Sequence, residues 1–331
     1  MPARERLLLS SIVAAALGVG GAAGAAPASS ALLVLNKTDN TYVRVDLGTW
    51  QVGAPVPVGV GPHELAVSDD GRLAFAANYG DGQTIGSSIS VIDVATNKEL
   101  RRFDTAPLLR PHGFAVSGGK LYFTSETSRV VARYDPAKNA IDWIVGTGQT
   151  QTHMVAASRD GRTLYTANIA GNSVSIIEIG TTPAATTVTS IPVGKGPEGI
   201  HLTPDGTQLW AAHSQDGGIS IIDTATKKVI ATMDAKTGRS NRLVFTLDGT
   251  RALVSDINNG DVAVIDVKTR AVTTRVKVGA SPEGILMDPD GTRAFVAVTG
   301  DNEIAVLDLK TLAVTRRIRP GGGPDGMAFV K

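Results

Sequence analysis

The chain has 331 residues, of which 42% are hydrophobic and 19% are charged, so it can bury a large core and is not a disordered polymer. Its 32 basic and 31 acidic residues nearly cancel, which argues against the broad basic surface that binding to nucleic acid phosphates requires. There is no cysteine, which excludes disulfides, thiolate nucleophiles and thiolate metal sites.

The first 25 residues read as a secretory signal peptide. Two arginines near the start precede the apolar run Leu7–Val19, which is too short for a stable membrane span, and Ala23-Gly24-Ala25 offers a small-x-small cleavage pattern. A signal anchor that stays in place is the alternative. We therefore expect a periplasmic or secreted protein in which residues 26–331 form a single domain, with no membrane contact after removal of the signal.

A repeat of roughly 40–45 residues runs through the rest of the chain. Its clearest copy contains Gly196-Pro197-Glu198-Gly199-Ile200, then an Asp-Gly pair at 205–206, then the alternating stretch Ile219–Asp223. In successive copies, the position that follows the Pro or its equivalent is occupied by polar residues that we call the ring residues: His63, His112, His153, Glu198, Asn241, Glu283 and Asp325.

This repeat predicts an all-β fold, a seven-bladed β-propeller of four-stranded antiparallel blades. An Asp-Gly pair between two apolar runs is a strong hairpin signal, and four short strands per repeat are typical of a propeller blade. The last copy ends after one strand, Gly326–Lys331, while three strands within residues 32–58 precede the first copy. We therefore expect the C-terminal strand to complete the N-terminal blade and close the ring. Residues 79–88 are expected to lengthen a loop of the first repeat.

The stretch Tyr165-Thr166-Ala167-Asn168, followed by Ser173–Glu178, is close to the signature of a known propeller family, as is Phe75-Ala76-Ala77-Asn78. On these residues the chain resembles the YVTN-repeat (YncE-like) seven-bladed β-propellers over its whole mature length. The resemblance implies the fold and an exported protein. It leaves the function open, because propellers of this type include binding proteins, lactonases and lyases.

The ring residues are the main functional candidates, because the first strand of each propeller blade lines the central channel. Three of the five histidines of the chain occupy this one repeat position in consecutive blades. Three imidazoles and a carboxylate suit a divalent transition metal. We therefore predict a metal site of unspecified metal formed by the following residues: His63, His112, His153 and Glu198. A small-ligand site without metal and a solvated polar rim are the alternatives.

Other polar residues are expected at the same mouth. Arginine can bind a carboxylate or phosphate in bidentate geometry, so we expect ligand contacts from a second group, namely Asn241, Arg242, Asp325 and Arg110. His213 stands where other repeats have Asn at the end of the second strand. It is a candidate acid or base together with Glu283, and a structural role is the alternative for His213.

These patterns favour an exported propeller that binds a divalent metal, a small ligand or both at the channel mouth. A metal-dependent hydrolase or lyase acting on a lactone or sugar acid is the first alternative, and a protein-interaction scaffold is the second. Whether the protein is an enzyme stays open. We expect a monomer whose partner at the channel face is a small molecule or a protein, and no nucleic acid partner.

Overall fold

The computed structural model describes residues 30–330, and the expected signal peptide lies outside this range. The described chain folds into short antiparallel strands joined by tight turns. The first fourteen strands are β1 (Ala31–Asn36), β2 (Thr41–Asp46), β3 (Val56–Pro57), β4 (Pro62–Val67), β5 (Leu73–Gly80), β6 (Ile85–Asp93), β7 (Lys98–Asp104), β8 (Pro111–Ser117), β9 (Lys120–Ser125), β10 (Val130–Asp135), β11 (Ala140–Gly146), β12 (Thr152–Ala157), β13 (Thr163–Asn168) and β14 (Ser173–Glu178).

The second half of the ring continues the same pattern. Its strands are β15 (Thr187–Pro192), β16 (Pro197–Leu202), β17 (Gln208–His213), β18 (Gly218–Asp223), β19 (Lys228–Asp234), β20 (Ser240–Phe245), β21 (Arg251–Asp256), β22 (Asp261–Asp266), β23 (Ala271–Lys277), β24 (Pro282–Met287), β25 (Arg293–Val298), β26 (Glu303–Asp308), β27 (Ala313–Ile318) and β28 (Pro324–Val330). Two short 3-10 turns cover Pro183–Ala185 and Thr299–Asp301. No helix within residues 30–330 is long and apolar enough to cross a membrane.

The strands form seven four-stranded sheets, as the repeat predicts. Blades 1 to 6 follow along the chain as β4–β7, β8–β11, β12–β15, β16–β19, β20–β23 and β24–β27. The closing blade has the order β28-β1-β2-β3, in which Ala31 pairs with Val330 and Leu33 pairs with Ala328. The predicted closure of the ring by the C-terminal strand is therefore confirmed. It leaves no open sheet edge between the two ends of the chain.

The apolar core lies between neighbouring blades. Seven hydrophobic clusters are present among residues 30–330, and each combines side chains of two adjacent sheets. The cluster between blades 1 and 2, for example, packs Phe75 and Ile89 against Phe123 and Tyr134. Alternation along each strand supplies one apolar side chain to each of the two blade faces, so every sheet is covered on both sides.

The repeated Asp and Gly residues build turns. Gly71, Gly206 and Gly291 have φ values of 72° or 73°, which suit glycine because it has no Cβ. The aspartates that end the third strands accept hydrogen bonds from the backbone and hydroxyl groups of a threonine three residues on, as Asp223 does from Thr226. This repeated carboxylate is therefore structural.

One expectation about the first repeat is wrong. Residues 79–88 do not form a lengthened loop, because β5 and β6 extend and pair as far as Gly80 and Ile85. Gly86 permits this, since a Cβ there would lie 2.0 Å from the carbonyl oxygen of Asn78. The extension fixes Tyr79 on a strand at the channel mouth.

Candidate functional site

A polar cavity of about 700 Å³ opens at one mouth of the central channel. All seven ring residues line it, so the predicted convergence of this repeat position is confirmed. The inner strands place them there, because each ring residue stands second in the first strand of its blade.

The residue after each ring residue decides how closely the inner strands approach. Four repeats have Gly at this position, and a Cβ on any of them would lie 2.3–2.6 Å from the carbonyl oxygen of the next blade's ring residue; these glycines are Gly113, Gly199, Gly284 and Gly326. The other three repeats carry Glu64, Met154 and Arg242. Their side chains meet across the channel, where Arg242 forms an ion pair with Glu64 and lies 3.0 Å from the sulfur of Met154.

This contact forms the floor of the cavity. A second cavity of about 420 Å³ lies on its other side, with mainly apolar walls and His201 among its lining residues. Glu64 and Arg242 line both cavities, and Met154 lines the second. The channel is thus divided into a polar mouth and a more apolar part, and His201 lies in the more apolar part.

The three ring histidines lie side by side with Tyr79. The ring centroids of His112 and His153 are 3.8 Å apart and the rings are stacked, while His63 lies 5.6 Å from His112. Tyr79 lies against His63 and His112 at 4.7 and 5.2 Å. The predicted clustering of the three imidazoles is therefore confirmed.

Hydrogen bonds orient two of these rings. The Nδ1–H group of His63 donates to the carbonyl oxygen of Gly61 at 2.8 Å, and Nδ1 of His153 bonds to the Glu126 carboxylate, which also accepts a bond from the Tyr79 hydroxyl. Both rings therefore keep Nε2 free of these bonds. His112 is 4% exposed, and its buried Nδ1 has no hydrogen-bond partner among the described residues.

The same contacts give the histidines opposite protonation behaviour. Burial lowers the pKa of His112 well below its usual value. Electrostatic repulsion from the neighbouring imidazoles of His153 and His63 lowers it further. Burial likewise lowers the pKa of His63. Burial also opposes protonation of His153, but the hydrogen bond and charge of Glu126 overcome it and raise the pKa of that ring. A proton in this cluster therefore resides on His153.

The opposite wall carries a carboxylate pair bridged by a lysine. Lys37 forms ion pairs with Glu283 and with Asp325, the latter at 3.2 Å. Burial, followed by the charge of Asp325, raises the pKa of Glu283 to about 7. Burial also opposes ionisation of Asp325, yet Lys37, His63 and Arg242 together hold its pKa below the usual range. Glu283 can therefore gain or lose a proton near neutral pH.

The structure does not bring the predicted metal ligands into a preformed coordination sphere. Among residues 30–330 no group of three or more histidine, aspartate and glutamate side chains is arranged to hold a metal ion. The lone pair of an imidazole lies in its ring plane, so the stacked His112 and His153 do not point their nitrogens at one shared atom. Glu198 instead accepts a hydrogen bond from Asn241 at 2.6 Å. The metal site stays a prediction.

The remaining predicted residues divide into two groups. Asn241, Arg242, Glu283 and Asp325 line the cavity, whereas Arg110 lies outside its wall, with its guanidinium 4.7 Å above the Tyr79 ring. His213 is buried within its own blade. Its Nδ1 bonds to Asp216 at 2.9 Å and its Nε2 to Ser220 at 3.0 Å, so the contacts of His213 are structural and give no support to a role as acid or base.

Sequence reasoning missed a second set of lining residues. They share one repeat position, the one directly after the polar residue aligned with Asn36, Asn78 and Asn168, and they are Lys37, Tyr79, Glu126, Ile169, Ser214 and Ile257. Side chains alternate along a strand. The side chain of Asn78 bonds to Gly59 and to Ser88 of its own blade, so the next side chain faces the mouth. The repeat alignment could have identified these lining residues, because they stand one position after the aligned polar residue of each second strand.

The fold and the polar cavity define the chain as a seven-bladed β-propeller with a candidate site at the channel mouth. The sequence model of the choice-of-anchor I domain family matches residues 150–325, more than half of the chain, and the chain belongs to this family. The propeller architecture that the resemblance to YVTN-repeat proteins implied is confirmed, and the family shown is choice-of-anchor I. No curated protein matches the chain.

Several solved structures share the architecture. The Pseudomonas aeruginosa periplasmic gluconolactonase PpgL has a TM-score of 0.75 at 18% identity, over 91% of this chain and 99% of that one. A Bacteroides uniformis protein provisionally assigned as a 6-phosphogluconolactonase has a TM-score of 0.75 at 15% identity, with the same coverage of 91% and 99%. Kuenenia stuttgartiensis hydrazine synthase has a TM-score of 0.69 at 22% identity, over 80% of this chain and 88% of that one. At these identities the likeness shows the fold alone.

Proposed function

We propose that this chain is an exported propeller that binds a small polar molecule in the mouth cavity. The observation that carries the proposal is the buried, unsatisfied polarity of the wall. Two atoms of its lining, Nδ1 of His112 and Oδ1 of Asn241, are buried without a hydrogen-bond partner among the described residues. Buried polar groups are normally paired, so a bound molecule is the natural partner. The signal-like N-terminus and the periplasmic location named for PpgL support export.

Calorimetry and thermal unfolding with a panel of small polar compounds test the proposal. The panel contains sugar lactones, sugar acids, amino acids and amines. We expect at least one class to bind with a dissociation constant that His112→Gln weakens tenfold or more. His201→Gln is the matched control, because His201 lies beyond the channel floor. Absence of binding by every class, or equal effects of the two substitutions, would overturn the proposal.

A divalent transition metal is a component of this proposal that needs its own test. His63 and His153 each keep Nε2 free of hydrogen bonds to the described residues, and Glu198 supplies a carboxylate. Metal binding would require the stacked pair of His112 and His153 to separate. Elemental analysis of the purified protein should find metal that disappears in the double variant His63→Ala, His112→Ala. Metal-free protein at every pH from 6 to 8 would remove the metal from the proposal.

Hydrolysis of a lactone is the second candidate function, and the pairing of His153 with Glu126 favours it. In its neutral form, His153 can take a proton from water through Nε2 while the water oxygen attacks the lactone carbonyl carbon. The ring C–O bond then breaks, and the released oxygen takes a proton back from His153 or from Glu283. The product is a hydroxy acid, and no other reactant is needed.

Hydrolysis of glucono-1,5-lactone, corrected for its spontaneous rate, tests this candidate. We expect a rate above background that rises with pH as His153 loses its proton, and a kcat at least tenfold lower for Glu126→Gln. Glu99→Gln, on the outer strand β7, serves as control. A rate no higher than the spontaneous one across a lactone panel would leave binding as the only function of the cavity.

A further inference from the structure

We propose that the ligand of the mouth cavity is a zwitterion whose ammonium group binds to Glu198 and whose carboxylate binds to Arg239. This inference rests on the proposed binding function and specifies its ligand class. Its basis is the set of charged side chains on the cavity wall that form no ion pair with other described residues.

Most charges of the wall are paired within the described chain. Arg242 pairs with Glu64, and His153 bonds to Glu126. On the opposite wall, Lys37 pairs with both carboxylates of its cluster. Among the cavity-lining residues that the structure describes, this leaves Glu198 and Arg239 as the two charges without an ion-pair partner. One is an anion and the other is a cation.

Glu198 is the inner of these two charges. It is 6% exposed, and within residues 30–330 its one hydrogen bond comes from the Nδ2 atom of Asn241 at 2.6 Å. The Oδ1 atom of Asn241 is itself buried without a partner among the described residues. The charges of His153 and Arg242 act on Glu198, but each of these side chains is already paired with another carboxylate. A buried carboxylate without an ion pair of its own is costly, and an unsatisfied amide oxygen beside it adds to the demand for N–H donors. An ammonium group, with three donors and a positive charge, meets both needs.

Arg239 is the outer charge. It is exposed in the loop between β19 and β20, and its backbone N–H donates to Asp256 at 3.0 Å, as does that of Gly238 at 2.9 Å. Its backbone is therefore held, while its side chain lines the cavity and forms no ion pair with the described part of the chain. Arg239 precedes Asn241 by two residues, so both charges belong to the same part of the wall. A guanidinium matches a carboxylate in bidentate geometry.

The presence of one inner anion, Glu198, and one outer cation, Arg239, disfavours ligands that carry a single kind of charge. A purely anionic ligand would bring a second negative charge toward buried Glu198. A purely cationic ligand would gain nothing from Arg239 and would be repelled by it. A molecule that carries an ammonium group and a carboxylate satisfies both residues at once, with its ammonium end inward. Free amino acids and related amino carboxylic acids have this chemistry.

Calorimetry with matched probes on the signal-free protein tests the inference. The probes are 4-aminobutyrate, n-butylamine and n-butyrate, which share one carbon chain, with glycine and 6-aminohexanoate to vary the charge separation. We expect at least one zwitterion to bind tenfold or more tightly than n-butylamine and n-butyrate. Glu198→Gln should weaken the zwitterion and the amine at least tenfold and should not weaken the acid. Arg239→Gln should weaken the zwitterion and should not weaken the amine.

Lys195→Gln is the control, because Lys195 is a cation of a nearby loop that does not line the cavity. The probe series on the unsubstituted protein decides the question even if a variant fails to fold. If gluconate or a sugar lactone binds at the mouth and no zwitterion does, the binding function stands and the zwitterion inference is overturned. If neither class binds, both fail.

Discussion

His112 and His153 are stacked with their ring centroids 3.8 Å apart and their planes inclined by 29°. Their contacts give them opposite tendencies, since burial lowers the pKa of His112 while Glu126 raises that of His153. Two imidazoles in contact cannot both be protonated without strong repulsion. The pair therefore holds one proton, and Glu126 determines which ring carries it.

Glu126→Gln should move that proton off His153. Burial then acts without an opposing carboxylate, so the pKa of His153 should fall. A titration of the histidine ring nitrogens by NMR measures this, with Glu99→Gln as the surface control. An unchanged His153 titration in Glu126→Gln would show that the hydrogen bond does not set the pKa.

The variant Glu126→Gln should also lose stability, by an amount that depends on pH. The pKa of His153 is raised above its unfolded value of 6.5, so its stabilising contribution is fully present below pH 6.5 and is lost as the pH rises through the folded pKa. Glu126→Gln should therefore lower the free energy of unfolding more at pH 6 than at pH 9. Urea unfolding at the two pH values measures it, and an equal loss at both would contradict the linkage.

Glu283 should titrate near neutrality. Its folded pKa of about 7 lies above the ordinary value of 4.5, so the folded state binds the proton more tightly and stability falls as the pH rises from about 4.5 to 7. Lys37→Met should raise this pKa further, because the lysine favours the ionised form. Carbon-13 NMR of the glutamate carboxyl groups checks both. A carboxyl that is already ionised at pH 5.5 would refute the prediction.

The channel floor should behave as a buried ion pair. Arg242→Met leaves Glu64 charged and unpaired, and should cost about 3–5 kcal/mol of unfolding free energy. The double variant Glu64→Leu, Arg242→Met should recover part of this loss. Arg102→Met, which breaks the exposed pair with Glu99, should cost less than about 1 kcal/mol. Denaturant unfolding compares the four proteins, and equal losses at the buried and exposed pairs would contradict this role.

Gly326→Ala should strain the contact between the innermost strands of the closing blade and blade 1. Its Cβ would lie 2.3 Å from the carbonyl oxygen of His63, so a backbone strand must shift, at a cost of about 1–3 kcal/mol. Gly82→Ala is the matched control, because no atom lies within 4 Å of its Cβ. Urea unfolding should separate the two, and equal midpoints would show that the inner strands have room to move.

The positions of the site residues were predictable where the repeat encodes them. His63, His112 and His153 share one repeat position, and a repeat position becomes a ring once the blades close. The residues that contact these histidines were harder to predict from the sequence. Glu126 and Tyr79 belong to a different repeat position, whose direction depends on where the second strand ends. His213 shows the reverse case, because a histidine that departs from its repeat was expected at the mouth and bonds inside its blade.

The sequence by itself determined the seven blades, the closure by the C-terminal strand and the ring of polar residues. All three follow from local turn chemistry and strand alternation repeated at a fixed interval. The tertiary structure decided which charges meet. Arg242 reaches Glu64 across 178 residues, and Lys37 reaches Asp325 across 288. Such pairs depend on distances across the channel, which no interval along the chain specifies. For that reason only the folded ring reveals that Glu198 and Arg239 have no ion-pair partner within residues 30–330.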